Sequence, residues 1–201
     1  QLPDDVRVTD QQTTTFESGD GREFTFLTKT FTDEKLDKEL RGSASMTADG
    51  ISVAIEKPAE LDVSLEPSQF PTAHLAELIA KAQAGVPFYE TTLFDGTDDG
   101  DRLLTTSVVI GPQRAAGSQS GDLAPDVADA LEDSRSWPVT ISYFDPLEET
   151  GGEALPQYTI AFTMHENGIT RDLSMDYGDF ALSGVLTKLE MLPEPAACPA
   201  E

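Results

Sequence analysis

The segment LFDGTDDGD, residues 93–101, concentrates four aspartates and two glycines. Crowded carboxylates in a glycine-rich loop are the raw material of a calcium site, because Ca²⁺ is held by oxygen ligands. An EF-hand loop needs oxygens at its first, third and fifth positions, glycine at the sixth and a bidentate glutamate at the twelfth. With Asp95 placed first, Thr97, Asp99 and Gly100 fall where they should, but the twelfth position is Thr106, inside an apolar run. The flanks read as strands. The closing ligand is missing, so the stretch is read as a hairpin loop in which Asp and Gly supply turn geometry. No metal is assigned.

Other chemistry is sparse. His74 sits on a helical pattern and His165 beside a turn, and a lone histidine is more often packed than catalytic. No HExxH, Walker loop or dinucleotide fingerprint occurs. GSQSG, residues 117–121, carries Gln119 where a nucleophile elbow carries serine. Asp and Glu total 37, so carboxylate pairs carry no information about a glycosidase dyad. Trp137 before Pro138 reads as a core anchor. No catalytic residue and no cofactor is assigned.

The elements around these residues are nearly all strands. Period-two runs fall at 6–16, 24–31, 40–48, 51–56, 61–65, 88–94, 102–110, 139–144, 158–165, 169–177 and 180–192. One segment, FPTAHLAELIAKAQAG, has helical spacing at Leu75, Leu78, Ile79 and Ala82. It predicts a helix over 72–84, capped by Thr72 and closed by Gly85. Residues 111–134 are rich in Gly, Ala, Ser and Asp with little to bury, and read as a long exposed loop with a short helix at 125–131.

Turn residues set registers. A two-residue turn at Asn167-Gly168 pairs Met164 with Arg171, Phe162 with Leu173, Ile160 with Met175 and Tyr158 with Tyr177. A turn at Gly178-Asp179 then brings Met175 to Leu182 and Leu173 to Gly184, where a bulge or bend is expected. A turn at Asp49-Gly50 pairs Met46 with Val53 and Ala44 with Ile55. Both C-terminal hairpins gather apolar side chains on one face: Tyr158, Ile160, Phe162, Leu173, Met175 and Leu182. A one-residue slip would scatter them, so the register is well specified. An antiparallel meander with one such face curls around a core or a cavity.

The chain has 201 residues and a formal net charge of −24. That excess repels phosphate backbones and anionic membrane surfaces, so nucleic acid is excluded as a partner. No stretch approaches the ~20 apolar residues of a transmembrane segment. The chain begins at Gln1 without an initiating methionine, which reads as a processed or trimmed start. Cys198 is the single cysteine, so no disulfide can close within these residues.

The blocks TTTFESGDGREFTFLTKTF, FPTAHLAELIAKAQAG, LFDGTDDGD, WPVTISYF and ENGITRDLSMDYGDFALSGVLTKLE, in this order, resemble the EipB-like family. These are periplasmic cell-envelope integrity proteins of alphaproteobacteria, formerly a domain of unknown function. The resemblance implies a mainly β fold: a curved antiparallel meander forming a β-spiral or unclosed barrel, similar to the lipoprotein carriers LolA and LolB, with the helix against its concave face. It implies one domain over 1–201 that lacks the family's first strands. It also implies a disulfide between Cys198 and a cysteine upstream of this chain. The expected function is non-catalytic: binding of a periplasmic protein partner or an apolar ligand in support of envelope integrity. A lipid or lipoprotein carrier is the alternative, and a hydrolase using scattered carboxylates the third reading. On the bland reading, the apolar face is core filled by the helix.

Overall fold

The computed structural model describes residues 9–96, 100–115, 127–128, 131, 133–144, 155–178 and 181–186. The described strands are β1 (Thr9–Glu17), β2 (Glu23–Thr32), β3 (Lys35–Met46), β4 (Ile51–Lys57), β5 (Leu61–Leu65), β6 (Phe88–Leu93), β7 (Leu104–Ile110), β8 (Ser136–Phe144), β9 (Tyr158–His165), β10 (Thr170–Asp176) and β11 (Ala181–Val185). The helix α1 spans Pro71–Gln83, between β5 and β6. Each strand pairs antiparallel with its neighbour in sequence, in a five-stranded sheet β1 to β5 and a six-stranded sheet β6 to β11. Among the described residues, a parallel bridge joins Gln69, past the end of β5, to Leu93 of β6, and Phe94 N–H donates to Gln69 O at 3.0 Å beside it. At the other end β1 and β11 remain unpaired on their outer sides among the described residues, so the meander is an open curl rather than a closed barrel.

Helix α1 keeps its place because one stripe is apolar. Leu78 and Ala82 are buried against Leu93, Val108, Trp137, Val139 and Met164 on the inner face of the six-stranded sheet. Full burial of a leucine contributes about 1.5–3 kcal/mol. The C-terminus closes on Gly85 as expected: Val86 N–H donates to Lys81 O at 3.0 Å and Gly85 N–H to Ala82 O at 3.1 Å, the Schellman pattern. The N-terminus differs from expectation. Phe70 is the cap residue and no side chain of its own caps the helix. Instead Glu17, at the end of β1, accepts from Thr72 N–H at 3.0 Å through Oε2. The helix starts at Pro71, so Thr72 is already inside it and not at the cap position; the Glu17 carboxylate serves its free N–H, where the helix dipole favours negative charge.

The registers depart from expectation at two turns, by two residues at one and by one residue, later made good, at the other. Asp49-Gly50 is not the turn dipeptide. Thr47 N–H donates to Gly50 O at 2.8 Å, so Ala48 and Asp49 form the turn, and Met46 pairs with Ile51 and Ala44 with Val53. The shift is two residues, so every side chain keeps its face. Gly50 is required by a neighbour: a Cβ there would collide with the Leu65 carbonyl oxygen of β5. At the β9–β10 hairpin the loop has three residues, not two. Gly168 N–H donates to His165 O at 2.8 Å and His165 N–H to Ile169 O at 2.9 Å, and Gly168 has φ +82°. This is a type I turn followed by a left-handed glycine. Met164 therefore pairs with Thr170 rather than Arg171, and a register shift before Leu173 restores Phe162–Leu173 and Ile160–Met175. The β10–β11 pairs Met175–Leu182 and Leu173–Gly184 stand as expected, and no shift occurs at Gly184.

A second core lies under the five-stranded sheet. Phe24, Phe26, Phe70 and Phe94 pack with ring centroids 5.3–6.2 Å apart, each pair adding about 0.5–1.5 kcal/mol beyond burial. The acidic segment seals this core. A Cβ on Gly96 would lie 2.6 Å from Phe26 Cγ, and one on Gly100 2.9 Å from Phe26 Cε2. Residues 97–99 lie outside the described residues. In the 111–134 stretch, Val127 and Leu131 are buried, with helical backbone at both. At these two residues the burial differs from the reading of the stretch as exposed. GSQSG at 117–121 lies outside the described residues.

Candidate functional site

The inner face of β2 reads Phe24, Phe26, Thr28, Thr30, a change of chemistry partway along one strand. Alternation puts all four on one side of the sheet. The phenylalanines enter the core described above. The threonines do not, and beyond them the two sheets stand apart, enclosing a cleft of about 760 Å³. Volumes of about 300–1,000 Å³ are typical of small-molecule sites.

One wall is polar. Gln11 and Thr13 from β1, Thr28 and Thr30 from β2, and Lys38 from β3 line it. The strand registers place them together: Thr13 is opposite Thr28, Gln11 opposite Thr30, and Thr30 opposite Lys38. Thr28 is nearly buried, and its hydroxyl lies 3.2 Å from that of Thr13. A buried hydroxyl held this way avoids the cost of a lost hydrogen bond, about 1–3 kcal/mol.

The facing wall is aromatic and apolar. Tyr143 on β8 is paired with Tyr158 on β9, and their rings stack at 4.5 Å with planes 17° apart. Tyr177, just past β10, continues the row at 5.5 Å from Tyr158. Ile160 and Met175 lie beside them, and Leu40 lines the cleft from β3. Burial, with the charge of Asp95 behind it, pushes the Tyr143 phenol up to about 12. It therefore stays neutral and able to donate at any physiological pH. Asp95, the first aspartate of the acidic loop, also lines the cleft.

The expected apolar face is divided by this geometry. Tyr158, Ile160 and Met175 line the cleft. Phe162 packs against the core cluster that includes Leu78 and Ala82 of the helix. Leu173 and Leu182 lie towards the β11 edge and are 38% and 54% exposed. So the face is core at one end, cleft wall in the middle and open surface at the edge. Sequence reasoning missed the polar wall entirely. The available signal was the Phe-to-Thr switch at period two along β2, with Gln11 and Thr13 at matching positions on β1.

The remaining candidates fall outside the cleft. His74 and His165 are buried, and the ring nitrogens of both lack a hydrogen-bond partner among the described residues. Burial is the main cause that pushes both below the ordinary histidine range; for His165 the Arg171 charge adds to it. Trp137 is a core residue, as its sequence setting implied. Among the described residues no three His, Cys, Asp or Glu side chains cluster as metal ligands would. Cys198 lies outside the described residues.

Comparison with known proteins adds to this geometry. The profile of a family described as EipB-like matches residues 3–193. The chain is 49% identical over 185 residues to the cell envelope integrity protein EipB of Brucella abortus (strain 2308), a match covering 92% of this chain and 64% of that protein. The chain thus spans under two thirds of the curated relative. It is also similar to a crystal structure from Brucella abortus described as a beta-barrel-like protein of a domain of unknown function. That similarity has a TM-score of 0.82 and 46% identity, covering 93% of this chain and 75% of the other.

Proposed function

The chain belongs to the EipB-like family, and on that premise we propose that it is a non-catalytic periplasmic protein that supports cell-envelope integrity by binding a ligand between its two sheets. The name of the Brucella relative, cell envelope integrity protein, supports the envelope role. No described helix is long and apolar enough to cross a membrane. The observation that carries the binding mode is the continuation of one apolar strip out of the core and into the cleft, at Ile160, Tyr158 and Met175. Side chains that merely filled a core would be covered along their whole length. These meet a row of threonines and glutamine across open space, so the site has the two chemistries that orient a ligand.

A protein partner is the second reading, favoured by exposed Leu173 and Leu182 at the β11 edge, where unpaired backbone groups could accept a further strand.

The test is complementation. Cells lacking the protein should regain exclusion of a membrane-impermeant dye when given the wild-type gene. A variant with the cleft blocked, Ile160→Trp, should not restore it, although it accumulates folded. A strand-edge variant, Leu182→Asp, should restore it. Full rescue by the blocked variant would refute the cleft as the working site.

A further inference from the structure

We infer that the cleft takes a neutral oligosaccharide rather than an acyl chain. The inference rests on the cleft being the ligand site and goes on to name the ligand.

A space of about 760 Å³ holds on the order of two dozen waters at their liquid volume. Along β1 and β2 those waters meet Gln11, Thr13 and Thr30, short polar groups that both donate and accept. An acyl chain entering the cleft would displace them and leave these groups facing hydrocarbon, at a cost for each group that loses its hydrogen bond. A hydroxyl-rich ligand reproduces the waters' hydrogen bonds instead. Among the described residues, the aliphatic side chains that line the site are Leu40, Ile160 and Met175. That is too little apolar wall to sheathe an acyl chain.

The opposite wall suits a sugar for a separate reason. Pyranose rings carry hydroxyls at their edges and C–H groups on their faces, and the C–H faces lie well on aromatic rings. Within the tyrosine row, Tyr143 and Tyr158 spend their facing surfaces on each other at 4.5 Å. Tyr177 lies 5.5 Å from Tyr158 and is 37% exposed, so its exposed surface is the platform. Tyrosine also loses little conformational entropy on contact, having few rotatable bonds.

Charge narrows the class. Among the described residues that line the cleft, Lys38 is the one cation and Asp95 the one anion, and the two balance formally. The chain as a whole carries −24, which repels phosphorylated or carboxylated ligands over a Debye length of about 8 Å at physiological salt. A neutral glycan meets neither penalty.

The experiment is calorimetric titration of the full-length protein with three probes: chitotetraose, laminarihexaose and laurate. Saturable heat with at least one saccharide and none with laurate is the expected result. Tyr177→Ala and Thr30→Val should each weaken saccharide binding at least about tenfold, with Tyr177→Phe close to wild type. Gln11→Ala, on the exposed edge strand, guards against loss by misfolding and should also weaken binding. Laurate binding with both saccharides silent would overturn the inference while leaving the cleft as the ligand site. Saccharide binding indifferent to Tyr177→Ala, Thr30→Val and Gln11→Ala would overturn it too. If all three probes are silent, the saccharide assignment falls, and the dye-exclusion test decides separately whether the cleft matters.

Discussion

At the scale of single residues, two histidines are the sharpest energetic feature outside the cleft. His74 and His165 are buried with no hydrogen-bond partner for their ring nitrogens among the described residues, and both have pKa values lowered mainly by burial. The folded state therefore resists protonating them, while the unfolded chain takes up protons near the ordinary value of 6.5. Stability should be level above that value and fall as pH drops below it towards the folded-state pKa. Chemical denaturation at about pH 7 and pH 5 should show a lower midpoint at the acidic end. The paired variant His74→Leu/His165→Leu should flatten that difference, whatever it does to stability at neutral pH. A midpoint in the wild type that is unchanged across the window would contradict this account. Residue-level reading of the acidic loop was half successful. Its glycines were read as turn formers, yet they also leave room for the Phe26 ring, a partner some seventy positions away that no local pattern reveals.

Among the elements, the helix is the most instructive. Its apolar stripe and its Gly85 terminus are local properties and were legible from spacing alone. Its N-terminal partner was not, because Glu17 is 55 residues away in sequence from Thr72. Replacing that carboxylate should cost about 0.5–2 kcal/mol, the range for loss of a capping group. Thermal melts of Glu17→Ala against wild type would measure it, and Glu17→Asp should lose much of the same amount because the shorter side chain falls short of the helix. No change in either variant would mean that solvent serves the helix end equally well. Among the strands, alternation located every described strand and which side chains share a face, although β3 begins at Lys35, five residues before the run at 40–48. The turns were harder. Asn167-Gly168 and Asp49-Gly50 are both favourable hairpin dipeptides, but one belongs to a three-residue loop and the other places its glycine under β5.

For the whole molecule, the outstanding property is its charge of −24 on 201 residues. Self-repulsion of that size opposes compaction and is relieved by salt. The melting temperature should therefore rise as sodium chloride is raised from low to physiological concentration, and a flat or falling trend would show that attractive pairs outweigh the repulsion. The sequence alone determined the fold class, the strand succession and the division of each strand into an apolar and a polar side. Those follow from period and composition, which act over a few residues. The two sheets' separation, the division of the apolar face into core, cleft wall and open edge, and the meeting of Thr28 and Thr30 with the tyrosine row were decided only in three dimensions. A cleft is a relation between strands far apart in the chain, and neither wall's pattern specifies how far away the other stands.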